Sequence, residues 1–322
     1  MAEGHRRQHF VPQCYLRAWC DPDTPAGQEP YVWLFNKDGS GARRKAPENI
    51  FHETDLYTIR GPDGRRDLVL ERGLAGLESE FAALRDAKLS KREKITVREH
   101  FMLCAFTTAA QARTPAQRDH LRGQWAKVLE MADRMAEWGK TATPEQKLAA
   151  GSIARGSGPS LSHEDVKRLV EEPMATMLLP QIQAGTPLLL RLDCAVLVSA
   201  RLVFITSDYP CVWFDPEAYK RAPFYQQPAL IYPSIEITLP VSPRQLILLN
   251  RQGLSGYVDV PERMVDEYNR RTRFQCAEYF VSSSCATKPI WFDRGVEPDD
   301  SWRKRNTERR PVRPPLPILD ED

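Results

Sequence analysis

The stretch Leu68–Leu89, LVLERGLAGLESEFAALRDAKL, decides the fold class. Its apolar side chains recur at three- and four-residue spacing, which places them on one side of an α-helix: Leu70, Leu74, Leu77, Phe81 and Leu84. This stretch begins a run of helical patterns, whereas the segments on either side of that run have the patterns of strands. Because the helices are grouped and do not alternate with strands, the sequence predicts an α+β fold and not a doubly wound α/β sheet.

Capping residues predict where the helices of this run begin. Thr96 with Glu99 three positions later has the capping-box pattern. Thr114 precedes Pro115, and proline is favoured in the first turn of a helix. Ser162 is a third predicted N-cap. Together these signals predict a central helical bundle over residues 67–184.

Strand patterns flank the bundle on both sides. Residues 1–66 contain the aromatic and β-branched run Tyr31–Phe35 before an Asp-Gly turn, and they predict a small β-meander. Residues 187–250 are rich in apolar β-branched side chains and predict an antiparallel or mixed sheet. Pro261 predicts the start of a long helix over 261–285.

The predicted elements depend on one another along most of the chain. We therefore expect residues 1–290 to form a single α+β domain. Residues 294–322 are rich in proline, arginine and aspartate, a composition typical of a flexible tail.

Charge and composition exclude several classes of protein. Lys and Arg number 45 against 43 Asp and Glu, a net charge of +2, so the chain has no protein-wide basic field for nucleic acid. No run approaches the roughly 18 apolar residues of a membrane span, and no secretory signal pattern follows the start. The seven cysteines are scattered without a C-x-x-C motif, which indicates reduced thiols and a cytoplasmic location.

Common catalytic motifs are also absent from the sequence. It contains no G-x-x-x-x-G-K-[ST], no G-x-G-x-x-G, no H-E-x-x-H and no G-x-S-x-G. The sequence therefore gives no support for a P-loop NTPase, a dinucleotide-dependent dehydrogenase, a zincin-type zinc peptidase or an α/β-hydrolase.

The segment His9–Arg17, HFVPQCYLR, is the first candidate site. If Pro12 begins a helix, Gln13 and Arg17 are four residues apart and share one face. Tyr15 then lies elsewhere on that helix and His9 just before it. A His, a Gln, a Tyr and an Arg can together bind an anion or transfer a proton. The alternative is structural, with His9 packed against neighbours and Arg17 in an ion pair.

Glu71 and Glu78 form the second candidate. They are seven residues apart, which is two helical turns, so both carboxylates lie on one face about 10 Å apart along the axis. That separation is too large for the pair alone to hold one metal ion. The alternative is a solvated charged stripe on a surface helix.

Two further candidates lie near predicted element ends. Gln111 and Arg113 end one helix where the next begins, and Arg113 can hold an anion there or neutralise the preceding carbonyl groups. Asp208 follows an apolar strand within Thr206–Pro210. It can be a metal ligand, a general base or the first residue of an Asx turn.

These four clusters together resemble the DUF4238 family of bacterial proteins. The segment His9–Arg17 resembles the family's opening signature H-[YF]-V-P-x-x-Y-L-x-x-F, with Trp19 where the family often has Phe. The other matches run nearly to Ser284: Asp55-Leu56-Tyr57, Glu71 with Glu78, Gln111-x-Arg113-x-Pro115, Thr206-Ser207-Asp208-x-Pro210, Leu239–Pro243 and Asn269. The resemblance implies no reaction, but it implies that the polar motif residues gather in one place.

One hypothesis is an enzyme that hydrolyses a phosphodiester or nucleotide-like substrate, as a nuclease or phosphodiesterase does. His9, Glu71 and Asp208 are the expected catalytic residues. The expected substrate-binding residues are Gln13, Tyr15, Arg17, Gln111 and Arg113. A divalent metal ion is an expected cofactor, with Glu71, Glu78 and Asp208 as candidate ligands.

The other hypothesis is a non-catalytic ligand-binding or interaction protein in a bacterial defence or toxin system. The same polar residues then hold the N-terminal segment against the helices, for example through a buried Arg17–Glu71 ion pair. The two hypotheses differ in geometry, because an enzyme needs the motif residues in an open cleft, whereas a structural role buries them against one another.

Overall fold

The computed structural model describes residues 7–61, 63–153, 161–201 and 203–293, and it mixes helices with several small sheets. The helices are α1 (Gln13–Leu16), α2 (Val69–Ala87), α3 (Val97–Ala112), α4 (Pro115–Thr141), α5 (Pro144–Ile153), α6 (His163–Glu171), α7 (Pro173–Leu189) and α8 (Glu262–Gln275). The strands are β1 (Arg7–His9), β2 (Val32–Asn36), β3 (Arg43–Lys45), β4 (His52–Thr54), β5 (Ile59–Arg60), β6 (Arg66–Asp67), β7 (Asp193–Val198), β8 (Thr206–Ser207), β9 (Val212–Phe214), β10 (Glu236–Ser242), β11 (Gln245–Asn250), β12 (Gly256–Asp259) and β13 (Tyr279–Ser282). The predicted α+β class is confirmed.

The predicted helix starts are confirmed by their hydrogen bonds. The Thr96 hydroxyl accepts from the Glu99 N–H, and the Glu99 carboxylate accepts from the Thr96 N–H at 2.7 Å, which completes the capping box of α3. Thr114 caps α4, whose first residue is Pro115. Ser162 caps α6 in the same way.

The helices pack through apolar side chains with close contacts. Phe81 of α2 stacks on Phe106 of α3 with ring centroids 3.7 Å apart. Helix α7 approaches α3 closely at Gly185, where a Cβ atom would lie 2.6 Å from the Thr108 methyl group. A side chain at position 185 would push the two helices apart, so the contact requires glycine.

Strands β12-β7-β11-β10-β9 form a five-stranded sheet in that order. All neighbours are antiparallel except β12 and β7, which confirms the predicted antiparallel or mixed sheet. Strand β11 is buried on both faces, because Ile247 and Leu249 pack in the main core while Leu246 and Leu248 pack with Val265 of α8. Apolar burial on both faces explains the continuous apolar pattern of this strand.

A second sheet contains strands from the early and the late parts of the described chain. Its order is β3-β2-β13-β8, so the hairpin formed by residues 32–45 pairs with a strand near residue 280. The other N-terminal strands pair elsewhere, β1 with β4 and β5 with β6. The residues predicted as a meander therefore contribute to three sheets, since hairpin patterns do not specify distant partners.

The predicted helix over 261–285 is shorter than expected. Helix α8 ends at Gln275, and Tyr279–Ser282 is strand β13. The Asp208 carboxylate accepts the N–H groups of residues 277–279, which removes them from the helical hydrogen-bond pattern. Tyr279, Phe280 and Val281 also favour a strand. The predicted tail, 294–322, lies outside the described residues.

The segment around α1 is part of the main core. Val11, Leu16 and Trp19 are fully buried, and so is Tyr15. The Tyr15 hydroxyl donates to the Pro240 carbonyl oxygen at 2.6 Å. A helix of four residues has little stability of its own, so these buried contacts fix its position and direction.

Candidate functional site

An open cleft of about 390 Å³ lies between the β1–α1 segment and one face of α2. We call it the His9 cleft. It is lined by Arg7, His9, Gln13, Cys14, Arg17, Tyr57, Glu71, Leu74, Ala75 and Glu78. Five residues predicted from the sequence as site residues therefore meet here: His9, Gln13, Arg17, Glu71 and Glu78.

Two helices present the polar groups of the cleft. Gln13 and Arg17 are one turn apart at α1, and both face the cleft because the other side of α1 is buried in the core. Glu71 and Glu78 are two turns apart on α2 and face the same space. The predicted shared faces are confirmed for both pairs.

His9 is held as a neutral imidazole. Its Nε2 lies 3.2 Å from the Glu48 carbonyl oxygen, which can only accept, so Nε2 carries the proton. The other nitrogen, Nδ1, is then an acceptor, and the Gln13 amide nitrogen lies 3.5 Å from both ring nitrogens. Burial lowers the pKa of His9 to about 4, so the ring is uncharged at neutral pH.

A buried ion pair lies beneath the cleft. The Arg113 Nη1 atom donates to Glu78 Oε1 at 2.5 Å, and only 1% of the Arg113 side chain is exposed. Burial disfavours the charged guanidinium, but the Glu78 carboxylate, together with Tyr57 and Cys14, outweighs that effect, and the pKa of Arg113 is raised. The Arg113 Nε and Nη2 atoms are buried without a hydrogen-bond partner in the described part of the chain. The ion pair is therefore Arg113–Glu78 and not Arg17–Glu71.

Tyr57 connects the ion pair to His9. Its hydroxyl lies 3.3 Å from both the His9 and the Arg113 carbonyl oxygens. Its ring is 1% exposed, and burial raises the pKa of its hydroxyl. Tyr57 thus fixes the backbone of both motif segments.

Arg7 and Arg17 supply exposed positive charge at the cleft. Across residues 7–61, 63–153, 161–201 and 203–293, neither guanidinium has an ion-pair partner. Exposed arginines with free N–H groups suit a ligand with several acceptor oxygens, such as a phosphate or a carboxylate.

Asp208, a predicted catalytic residue and metal ligand, lies outside the His9 cleft. Its oxygens accept the N–H groups of Ala277, Glu278 and Tyr279 at 2.8, 2.7 and 2.8 Å. Burial raises the pKa of the Asp208 carboxyl, and these three N–H groups oppose that effect. The carboxylate caps a distant turn, which is neither an Asx turn nor a position beside His9.

Tyr15 and Gln111 also lie elsewhere. The Tyr15 hydroxyl is bound in the core between Thr206 and Pro240. Gln111 lies close to the Tyr209 hydroxyl and opposes the effect of burial, which raises the pKa of that hydroxyl. Of the residues predicted to bind substrate, Gln13 and Arg17 therefore line the cleft, Arg113 lies beneath it, and these two are remote from it.

The predicted metal ligands do not converge. Within the ranges that the structure describes, no three His, Cys, Asp or Glu side chains are arranged to hold a metal ion. Glu71 and Glu78 both line the cleft, while the Asp208 carboxylate accepts hydrogen bonds from backbone N–H groups elsewhere.

Besides the apolar Leu74 and Ala75, three lining residues were not predicted as site residues: Arg7, Cys14 and Tyr57. Tyr57 belongs to the motif Asp55-Leu56-Tyr57, so the sequence contains a signal for it. Cys14 lies within the first motif, and burial raises the pKa of its thiol, which makes it a poor nucleophile. Nothing in the sequence near Arg7 distinguishes it from the other arginines.

The fold and the cleft define an α+β protein with an open polar site formed by its N-terminal motif and one helix of its bundle. The family model described as a protein of unknown function, DUF4238, matches residues 7–285. The chain therefore belongs to the DUF4238 family. The comparisons with curated proteins and with solved structures gave no match.

In the segments that the structure describes, no helix combines the length and the apolar character that crossing a membrane requires.

Proposed function

We propose that the His9 cleft binds a phosphoester and hydrolyses it, so that the protein is a hydrolase of phosphodiester or nucleotide-like substrates. The observation that supports this proposal is the meeting of His9, Gln13, Arg17, Glu71 and Glu78 in one open cleft. A purely structural role for these residues would bury them against one another, and Arg17 is instead exposed.

In this proposal Arg7 and Arg17 bind the phosphate oxygens. A water molecule attacks the phosphorus atom, and the His9 Nδ1 atom takes its proton, since Nε2 is already protonated and bound to Glu48. The phosphorus–oxygen bond to the leaving alcohol breaks, and that oxygen takes a proton from the His9 imidazolium. The products are an alcohol and a phosphate with one ester bond fewer.

One carboxylate of the cleft, that of Glu71 or that of Glu78, is the proposed contact for a divalent ion, because the two are too far apart along α2 to hold one ion together. Mg²⁺ is commonly held by one or two carboxylates together with substrate phosphate oxygens. A single carboxylate in the cleft therefore suits a metal ion that arrives with the substrate. This makes metal dependence part of the proposal.

The experiment measures nitrophenolate release from bis(4-nitrophenyl) phosphate, with Mg²⁺, with Mn²⁺ and with a chelator. We expect His9→Gln to lower kcat/KM by about 100-fold or more, because general acid–base catalysis commonly contributes that much. His120→Gln is the matched control, since His120 is an exposed histidine of α4 outside the cleft. Equal turnover by the wild type and a folded His9→Gln variant contradicts the proposal.

The pH dependence tests the role of His9 separately. Because the pKa of His9 is about 4, the base is already unprotonated at neutral pH. We expect kcat/KM to rise with pH around 4 and to change little from pH 5 to 7 through this group. A midpoint near 6.5 would contradict the assignment of His9 as the base.

A non-catalytic ligand-binding role in a bacterial defence or toxin system is the second candidate. It is supported by the buried Arg113–Glu78 pair and by Asp208, because these motif residues are used inside the protein. Binding of ribose 5-phosphate without hydrolysis of any phosphoester would favour this candidate. We also propose a cytoplasmic location, since all seven cysteines are free.

A further inference from the structure

We infer that a groove beside the His9 cleft binds the aromatic base of a nucleotide whose phosphate lies in the cleft. This inference rests on the proposed function and names its substrate class. The groove has a volume of about 460 Å³. We call it the Phe51 groove, and it is lined by Phe10, Leu34, Arg43, Lys45, Asn49, Ile50, Phe51, His52, Glu53, Pro115, Ala116, Asp208, Ala277, Glu278 and Tyr279.

The groove and the cleft meet at two neighbouring histidines. His9 lines the cleft and His52 lines the groove. The two residues are direct partners in the β1–β4 pairing, and their rings meet edge to face with centroids 5.2 Å apart. A ligand that lies across this pair of rings reaches both sites.

The floor of the groove is apolar and formed by a constrained backbone. Phe10 and Phe51 have ring centroids 5.7 Å apart, and Leu34 and Ile50 complete the floor. Phe51 has φ of 57°, which is unfavourable for a residue with a side chain, and its carbonyl oxygen accepts the Phe10 N–H at 2.9 Å. The backbone thus keeps these two rings in contact at the groove.

One wall of the groove carries a positioned guanidinium. The Arg43 guanidinium lies over the Tyr279 ring at 5.0 Å from its centroid, and Asn36 accepts from it at 3.1 Å. A guanidinium held at a groove wall can stack against a planar base. Asn49 and Glu278, both exposed, place hydrogen-bonding groups at the rim.

The charges of the two sites differ in a way that assigns the parts of the ligand. In the groove, Arg43 and Lys45 are balanced by Glu278 and the already hydrogen-bonded Asp208, while Glu53 is paired with Arg118. An uncharged base therefore suits the groove better than a phosphate does. In the His9 cleft, Glu78 is paired with Arg113, so the two exposed arginines outnumber the one other carboxylate, that of Glu71. The cleft therefore suits the phosphate, and the two sites are complementary to the two ends of one nucleotide.

The test compares three ligands by isothermal titration calorimetry on the full chain. Adenosine carries a base without a phosphate, ribose 5-phosphate carries a phosphate without a base, and adenosine monophosphate carries both. We expect the wild type to bind adenosine monophosphate at least about fivefold more tightly than ribose 5-phosphate, since stacking of one base contributes that much or more.

Variants that fill the groove test whether the base of adenosine monophosphate binds there. Ala116 is an exposed residue of α4 that lines the groove, so Ala116→Trp fills it. We expect this variant to bind adenosine monophosphate no better than ribose 5-phosphate. Ala126→Trp adds the same side chain at an exposed position of α4 outside the groove, and it should leave all affinities unchanged. Asn49→Trp fills the groove from another lining position and replaces Ala116→Trp if that variant does not fold.

The outcomes separate this inference from the proposed function. If ribose 5-phosphate binds and Arg17→Ala weakens it, but the base adds no affinity, the groove is overturned and the cleft is retained. If adenosine binds and Ala116→Trp weakens it while ribose 5-phosphate does not bind, the phosphate site and the joined ligand are overturned. Unchanged binding of adenosine monophosphate to Ala116→Trp overturns the inference directly.

Discussion

The His9 cleft and the turn capped by Asp208 are both formed by residues of the family motifs, yet they use polar groups in opposite ways. In the cleft, Gln13 and Arg17 extend from a buried helix into an open space. At the turn, the Asp208 oxygens accept three backbone N–H groups and are buried. A motif residue therefore indicates function only where its polar atoms remain available to a ligand.

The largest expected effect on stability concerns the Arg113–Glu78 ion pair beneath the cleft, because Glu78 both lines the cleft and pairs with a buried charge. Glu78→Ala leaves the buried Arg113 guanidinium without its ion-pair partner. We expect the free energy of unfolding to fall by about 3–5 kcal/mol, because an unpaired buried charge is strongly destabilising. Glu80→Ala, at an exposed position of α2, is the control and should change it by less than about 0.5 kcal/mol. Chemical denaturation measures both, and equal losses would mean that the ion pair is not stabilising.

The next effect tests whether Asp208 belongs to the architecture. Asp208→Ala removes the acceptor of three N–H groups, and we expect a loss of about 3 kcal/mol in the free energy of unfolding. Asp259→Ala removes an exposed partner of Arg92 and should cost less than about 1 kcal/mol. If the Asp208→Ala variant is stable and loses only activity, Asp208 has a functional role and not a structural one.

A smaller effect appears in the pH dependence of stability. The pKa of His9 falls from 6.5 in the unfolded chain to about 4 in the folded protein, so the folded state binds fewer protons in this interval. Stability should therefore be lost as the pH falls from about 6.5 to 4. His52 and His100, whose pKa values are also lowered, contribute in the same direction. Denaturation at several pH values measures this loss. As the pH falls, the free energy of unfolding should decline less steeply for His9→Gln than for the wild type. Identical slopes would mean that the His9 ring lies in an exposed environment.

The smallest effect on stability is expected in the open His9 cleft. Arg17 is exposed, and Arg17→Ala should change the free energy of unfolding by less than about 0.5 kcal/mol. The same variant should bind ribose 5-phosphate about tenfold more weakly, measured by calorimetry. A destabilised Arg17→Ala variant with unchanged binding would give Arg17 the structural role.

The predictable parts of this structure are those encoded by neighbouring residues. Thr96, Thr114 and Ser162 each satisfy the first N–H groups of their own helix, so the sequence shows the helix starts directly. The spacing of Glu71 and Glu78 likewise places both on one face, because helical geometry fixes it over seven residues. The two pairs that line the cleft, Gln13 with Arg17 and Glu71 with Glu78, follow from such local rules.

The remaining parts depend on contacts between distant segments. Asp208 was expected near His9, but its partners are backbone groups some 70 residues later in the chain. The N–H groups of residues 277–279 carry no signal in the sequence, since every residue other than proline has one. The Phe51 groove has the same origin, because its floor and walls come from five separate stretches of the chain, at positions 10, 34–53, 115–116, 208 and 277–279.

The pairing of β2 with β13 has a consequence for synthesis of the chain. Strand β2 leaves the ribosome early, whereas its neighbour Tyr279–Ser282 follows after nearly all of the described residues. Until then one edge of the β2–β3 hairpin exposes unpaired N–H and C=O groups, which are prone to pairing with other chains. We expect truncated or stalled chains that end before Tyr279 to aggregate, and the cell's chaperones to bind this hairpin while translation continues.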